Sequence, residues 1–518
     1  MGAFFKRHFI ISFLLLALIG LFVIRLLGDY AYPVEPEPSP EISVNTTTPL
    51  YQATQAALQQ KGQGQPNLLY PLSNGSIALL NRIRLIDVAK DTIDIQYYLF
   101  HDDDAGRALL QASMEAAQRG VKVRLLLDDM DMKGRDAIFA RIRQDQPNLQ
   151  IRIFNPFWLR SFRVPEYLAR FPQVTRRMHN KSFTVDQVTT IVGGRNVGNE
   201  YFNYNSDVAF NDFDMLVSGA GGQEVTQEFN TYWYSGLAYP IEKLGTPAND
   251  SVFQYWQQPA QQALKTYREE VAKQKDAIQT LLTNSNQTTY YAPISVLSDR
   301  PTKVISPLTA IAGNITHDII KLMQSAKHEL IISSPYFIPG EHGLQLFQTL
   351  RDAGVNITIL TNSYAANDVA AVHAGYSNYR TQLLRMGVKI YELKPQSYQA
   401  EGFSLLGSTR ASLHAKAFVV DRKTVFVGSF NLDPRSAIHN TEMGIVFENS
   451  QYGTNSVKSS EHYMQTQAYQ VVLNDQGELE WQETSGSQTK IYTSEPNVSL
   501  LERMLITVIS WLPVEWLM

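Results

Sequence analysis

Two stretches of the chain carry the same order of apolar runs and helix-spaced segments. In the first, Thr92-Ile-Asp-Ile-Gln-Tyr-Tyr-Leu-Phe100 reads as a strand, an Ala-rich helix follows over 106–119, Gly120-Val-Lys-Val-Arg-Leu-Leu-Leu127 reads as a second strand and 149–154 as a third. In the second, Glu329-Leu-Ile-Ile-Ser-Ser-Pro-Tyr-Phe337 precedes a helix from about 343 to 353, and the strands Gly354-Val-Asn-Ile-Thr-Ile-Leu360 and Gly387-Val-Lys-Ile-Tyr391 follow. Gly120 and Gly354 stand 234 residues apart. An offset held over several elements means duplication. Strands alternating with helices predict parallel sheets flanked by helices, so the expected architecture is α/β. It comprises two homologous domains, 66–250 and 301–480, packed about a pseudo-twofold axis. A polar, Gln/Lys-rich stretch over 254–284 reads as a solvated helix within a connecting segment, 251–300.

The two ends break this pattern. Phe9 to Ile24 carries no charge, and the run extended to Gly28 has 20 residues, which at about 1.5 Å per residue spans roughly 30 Å, the thickness of a hydrocarbon core. Lys6 and Arg7 precede the run, and Asp29, Glu35, Glu37 and Glu41 follow it. This predicts an uncleaved anchor over 1–30, with a cytoplasmic N-terminus and the bulk of the chain outside. A cleaved signal peptide stays the alternative, although no clean small-x-small site follows the run; a buried helix would want a polar break, and none is present. Residues 31–65 begin with a Pro/Glu/Ser/Thr-rich stretch that predicts an extended spacer. In the tail, 481–518, Leu501, Met504, Leu505, Val508 and Leu512 share a helical face beside Trp511 and Trp516. The tail reads either as an amphipathic membrane-interface helix or as a terminal helix packed on its own domain.

Composition narrows the chemistry. The chain has 518 residues, too many for one ordinary core. It has no cysteine, which removes disulfides, thiolate metal sites and thiol nucleophiles. A net charge of -4 argues against a non-specific nucleic-acid binder. Asp102, Asp103 and Asp104 precede a helix and read as capping residues rather than metal ligands.

The motif that carries chemistry also occurs twice. His179-Asn-Lys181-Ser-Phe-Thr-Val-Asp186 is followed by Gly193, Gly194 and Asn196; His414-Ala-Lys416-Ala-Phe-Val-Val-Asp421 is followed by Gly428, Ser429 and Asn431. In both copies Lys lies 2, Asp 7, Gly 14 and Asn 17 residues after His. Residues i and i+2 of a strand face the same side, so each His–Lys pair presents to one cleft. The four groups can converge on one phosphate, where lysines neutralise the non-bridging oxygens. Asn196 and Asn431 can donate to the same oxygens, and the small Gly194 and Ser429 let backbone approach them. One histidine must be neutral to attack phosphorus, and the other must begin protonated to release the leaving alcohol. A carboxylate on the far ring nitrogen would orient each ring; Asp214 and Glu442 are the candidates. Asp186 and Asp421 fall off the active face and read as structural turn or salt-bridge residues.

This doubled pattern resembles the phospholipase D superfamily over about residues 70 to 450. The resemblance implies a pair of α/β domains around one site and no metal or other cofactor. It also implies His179 as nucleophile with His414 as acid and base, and crosswise pairing of Glu442 with His179 and Asp214 with His414. The layout looks most like the bacterial cardiolipin synthases, especially the C type, through Ile95-Gln-Tyr-Tyr-Leu-Phe100, Ser333-Ser-Pro-Tyr-Phe337, Gly428-Ser-Phe-Asn-Leu-Asp-Pro-Arg-Ser436 and Leu512-Pro-Val-Glu-Trp-Leu517. One departure is a single apolar N-terminal segment where the better-known members typically carry two. The resemblance implies phospholipid substrates, a bacterial inner membrane and no nucleic acid, and it leaves a protein partner or oligomer open. Transfer to phosphatidylglycerol would give cardiolipin; transfer to water would give phosphatidic acid, the hydrolase alternative. A superfamily nuclease and a non-enzymatic lipid-binding scaffold are weaker rivals.

Overall fold

A computed structural model describes residues 15–25, 35–204, 210–273, 289–306, 314–367, 369–395, 412–486, 488–499, 501–504 and 510. In the first half the strands are β1 (Asn67–Leu72), β2 (Thr92–Tyr97), β3 (Lys122–Asp128), β4 (Leu149–Phe154), β5 (Ser182–Val185), β6 (Thr189–Gly193), β7 (Phe210–Asn211), β8 (Asp214–Gly219), β9 (Ala238–Pro240) and β10 (Tyr290–Tyr291). In the second half they are β11 (Ile294–Ser298), β12 (Glu329–Ser333), β13 (Asn356–Asn362), β14 (Lys389–Leu393), β15 (Ser412–Leu413), β16 (Lys416–Val420), β17 (Thr424–Gly428), β18 (Met443–Glu448), β19 (Ala468–Leu473), β20 (Leu479–Ser485) and β21 (Gln488–Tyr492). The first sheet runs β10-β1-β8-β6-β5-β2-β3-β4-β9, and the second runs β11-β18-β17-β16-β12-β13-β14-β19-β20-β21. From β8 to β4 and from β18 to β14 the order repeats, with β2, β3, β4 and β12, β13, β14 parallel in each. β7 and β15 leave their own sheets and pair with each other, one strand from each half.

Local chemistry explains the elements. Asp103 accepts from the Gly106 N–H at 3.0 Å and caps the helix Asp104–Gln118, as the acidic run predicted. Gly120 and Gly354, at φ 94° and 84°, end the helices that precede β3 and β13. The β5–β6 turn places Asp186 and Gln187 at φ 51° and 58°, and the β16–β17 turn places Asp421 and Arg422 at 51° and 52°. Two successive left-handed residues make the tight hairpin that the right-handed strand twist prefers. Asp186 then accepts the N–H groups of Lys90, Asp91 and Thr92, and Asp421 those of Lys327, His328 and Glu329. Each carboxylate fastens the hairpin to the entry of the central strand.

The halves meet sheet against sheet. Leu69, Val192, Met215 and Val217 pack with Val425, Val427, Met443 and Ile445 in one buried cluster. Two expectations change here. The helix Asp250–Lys273 buries Phe253, Trp256, Ala260, Leu264 and Tyr267 in the core of the first half, and Trp256 donates to Asp102 at 2.8 Å. It is a packed amphipathic helix rather than a solvated connector. Within 31–65, Glu37 donates its N–H to the Tyr234 carbonyl and pairs with Arg152 at 2.9 Å, while Pro49–Lys61 is a helix capped by Thr48. That stretch lies against the first half instead of hanging free as a spacer. At the N-terminus, residues 15–25 are helical, with Leu15, Leu16, Leu18, Ile19 and Phe22 exposed. No helix among the described residues is long and apolar enough to cross a membrane. The rest of the expected anchor and most of the C-terminal apolar face lie outside the described residues.

Candidate active site

The two motifs arrive at one place because each half lends backbone to the other. The His179 N–H donates to the Thr441 carbonyl at 2.9 Å, and the His414 N–H donates to the Asn211 carbonyl at 2.8 Å. Each histidine is thus hung from the segment that carries the opposite half's carboxylate. His179 Nδ1 lies 2.9 Å from Glu442 Oε2 and 3.0 Å from Oε1; His414 Nδ1 lies 2.5 Å from Asp212 Oδ2. Both pairs are crosswise.

Asp214, the carboxylate expected beside His414, is elsewhere. It binds Arg82 at 2.9 Å and Arg195 at 3.2 Å in a fully buried cluster. The register explains the exchange. Gly193 pairs with Asp214 on β6–β8, and Gly428 pairs with Gly444 on β17–β18. The counterpart of Asp214 is therefore Gly444, and the counterpart of Glu442, two residues earlier, is Asp212.

The glycines and asparagines also differ from expectation. A Cβ on Gly193 would meet Asp214 Cα at 2.5 Å, and one on Gly428 would meet the Met443 carbonyl at 2.4 Å. A Cβ on Gly194 would strike Asp212 Oδ1 at 2.2 Å. These small residues admit the neighbouring strand and its carboxylate. Ser429 faces inward to Glu442 Oε2 at 2.5 Å, and Ser436 donates to Glu442 Oε1 at 2.8 Å. The Asn196 amide is committed to the Leu99 N–H and the Tyr201 hydroxyl, so it braces the loop instead of opening to a phosphate. Asn431 keeps a buried side-chain oxygen without a hydrogen-bond partner.

His179 and His414 are 7% and 6% exposed. Lys181 Nζ donates to the His179 carbonyl at 2.6 Å, and Lys416 Nζ lies 2.9 Å from His414 Nδ1 and also donates to the His414 carbonyl. The Tyr98 ring stands edge-on to His179 at 5.0 Å, and Tyr201 and Phe210 flank His414, each at 5.3 Å. Burial lowers His179 well below the ordinary histidine range, and Lys181, Lys416 and His414 push the same way. Burial and Lys416 lower His414, with Asp212 opposing. Burial takes Lys181 down to about 7 and pushes Glu442 up. Burial opposes ionisation of Asp212 too, yet His414, Lys416 and Arg195 hold it well below the usual carboxylate range. Charges from each motif act on the other, so one cleft holds both. It carries two ammonium groups, two imidazoles and a buried amide, a donor set suited to a phosphoryl oxygen cluster. Among the described residues, no group of His, Asp or Glu is arranged to hold a metal ion.

Known proteins carry the same pattern. The family described as "Cardiolipin synthase, PLD-like domain" matches residues 82–233 and 319–466, one match around each motif. The chain belongs to this phospholipase D-like family. Cardiolipin synthase C of Escherichia coli (strain K12) is 39% identical over 459 residues, covering 87% of this chain and 96% of that protein. Cardiolipin synthase A of Pseudomonas fluorescens is 26% identical over 382 residues, covering 73% of this chain and 64% of that one. The crystal structure of a Haemophilus influenzae phosphatidylserine synthase aligns with a TM-score of 0.56 at 16% identity, over 90% of this chain and all of the other, and so shares the fold. Asp212, Ser436 and Tyr98 were missed from sequence. Ser436 could have been found inside Gly428–Ser436, a stretch already singled out.

Proposed function

We propose that this chain is a cardiolipin-forming phosphatidyltransferase in which His179 is the nucleophile and His414 the acid and base. The observation that carries the reading is the crosswise pair of buried His–carboxylate units facing shared lysines. His179 Nε2 attacks the phosphorus of a donor phospholipid. The bond from phosphorus to the head-group oxygen breaks, and His414 gives that oxygen its proton. Lys181, Lys416 and Asn431 hold the non-bridging oxygens as charge builds. A terminal glycerol hydroxyl of phosphatidylglycerol then loses its proton to His414 and attacks phosphorus, and the phosphorus–nitrogen bond breaks. Cardiolipin leaves, and both rings return to their starting protonation. Phosphatidylglycerol would release glycerol as donor, and phosphatidylethanolamine would release ethanolamine.

Two structural readings accompany this one. The reciprocal hydrogen bonds at His179 and His414 and the repeated strand order support a pseudo-twofold relation between the halves. The charge-free run over 9–24 supports a single N-terminal anchor in the bacterial inner membrane, with the catalytic halves on its outer side. Lipid product analysis tests the chemistry. Purified protein in detergent micelles receives phosphatidylglycerol, with and without phosphatidylethanolamine, beside a His179→Ala variant. Cardiolipin from the wild type alone is expected. Phosphatidic acid without cardiolipin would make the enzyme a hydrolase instead.

A further inference from the structure

The segment between β4 and the first motif has its polarity reversed. On the short helix Val164–Ala169 and its approach, the charged side chains point inward: Arg163, Glu166 and Arg170 are 8%, 0% and 7% exposed. They are paired there, Arg163 with Asp129 at 3.1 Å and Glu166 with Arg170 at 2.7 Å. The apolar side chains point outward: Phe162, Val164 and Leu168 are 64%, 56% and 69% exposed. A soluble surface helix shows the opposite arrangement. Three large apolar side chains on one short turn, above a layer of paired charges, suit an apolar medium.

The position of this turn names the medium. Arg163 stacks on Phe157 at 4.5 Å, Phe157 also carries Arg177 at 4.9 Å and packs on Tyr167 at 5.3 Å. Arg177 binds Asp128, which accepts the N–H of Met178, the residue before His179. The reversed turn therefore stands on the pillar that holds the first histidine. The site is deep, whereas the proposed substrates carry two acyl chains that favour the bilayer. We propose that Phe162, Val164 and Leu168 insert into the bilayer interface and seat the lipid-facing side of the enzyme beside His179. This rests on the lipid reading of the site and adds the surface by which lipid reaches it.

The absence of cysteine makes the test direct. A Leu168→Cys variant of the full chain takes a single environment-sensitive fluorophore, and a Gln345→Cys variant, exposed on the helix Gly340–Asp352, serves as control. With phosphatidylglycerol–phosphatidylethanolamine vesicles, the label at 168 should shift to the blue and be quenched by nitroxides on shallow acyl carbons, while the label at 345 should do neither. A Phe162→Ser, Val164→Ser, Leu168→Ser variant should lose about tenfold or more of its turnover on vesicles and keep it within about twofold on dispersed short-chain phosphatidylglycerol. No spectral shift with vesicles overturns the proposal. So does a shift that grows with protein concentration without lipid, which means a second copy covers the turn, or an equal loss on both substrates, which means a structural role. Insertion with no turnover of either lipid would support the docking surface and sink the cardiolipin reading.

Discussion

The exchange of Asp212 for Asp214 gives two substitutions, two residues apart, with opposite consequences. Asp212→Asn leaves His414 Nδ1 beside an amide in place of an ionised carboxylate. The ring then loses the charge that favours its protonated form and the acceptor that fixes its tautomer. An Asp-to-Asn change at the orienting position of a serine protease triad costs about 10⁴-fold in kcat, and about 10³- to 10⁴-fold is expected here. An amide fits the same space, but a carboxylate that its cationic neighbours hold ionised stabilises the fold at neutral pH, so some stability is lost as well and turnover is what separates the two substitutions. Asp214→Asn acts the other way. It strips the partner from Arg82 and Arg195, whose side chains are 2% and 1% exposed. Leaving buried charge uncompensated costs about 3–5 kcal/mol. At an m-value of about 2 kcal/mol per molar, the urea midpoint should drop by roughly 2 M. The protein that remains folded should keep turnover within a few-fold of the wild type. Cardiolipin formation in micelles and urea unfolding followed by fluorescence measure the two effects. Turnover of Asp212→Asn within about threefold of the wild type, with Asp214→Asn dead but fully stable, would refute the assignment.

Other consequences of the site are as direct. Ser436→Ala removes a hydroxyl donor from a buried carboxylate at a cost of about 1–3 kcal/mol, so kcat should fall about 5- to 160-fold if that loss is felt in the transition state, read in the same lipid assay. With His179 lowered it stays neutral as pH falls below about 6.5, so the acid limb of kcat/KM should lie below that pH. Burial takes Lys181 down to about 7, so its charge fades above that value, inhibition by inorganic phosphate should weaken as pH rises through it, and Lys181→Arg should flatten that limb. Asp186→Ala leaves three backbone N–H groups at the start of β2 without their acceptor, and should cost about 2–3 kcal/mol in urea unfolding while the folded enzyme keeps its turnover.

The sequence carried the duplicated architecture, because a constant offset between strands, helices and motifs is a statement about periodicity alone. The shared spacing also singled out His179, Lys181, His414 and Lys416, whereas Glu442 came only as a carboxylate downstream of the second motif. It failed at Asp212, because 15 residues separate Asn196 from Asp212 and only 10 separate Asn431 from Glu442, so no fixed offset links the two carboxylates. Only strand register, Gly193 to Asp214 and Gly428 to Gly444, separates the two aspartates of Asn211-Asp-Phe-Asp214. The inner roles of Gly194, Ser429 and Asn196 were equally hidden, because a small or amide residue near a phosphate site reads the same whether it faces the ligand or braces the wall. The solvated reading of 254–284 counted charges and passed over Phe253, Trp256, Ala260, Leu264 and Tyr267, which lie on one helical face.

The departures from symmetry divide the work between two similar halves. At His179 the partner is the longer glutamate, met by two serine hydroxyls, and burial pushes it up. A carboxylate already engaged by neutral donors and reluctant to ionise offers less support to a charged ring, and His179 is the histidine held furthest toward neutrality. At His414 the partner is the shorter aspartate, and the place of Ser429 is taken by Gly194, where a side chain would strike the carboxylate. Gly194 brings no hydroxyl to Asp212, and the ring, Lys416 and Arg195 keep it ionised. An ionised carboxylate on Nδ1 favours a proton on the ring. On the proposed mechanism, one half prepares a neutral imidazole to attack phosphorus, and the other prepares an imidazole that can carry and return a proton. A Gly194→Ser exchange cannot copy the Ser429 contact, because its Cβ would strike Asp212 Oδ1, so the difference between the two carboxylates is built into the backbone.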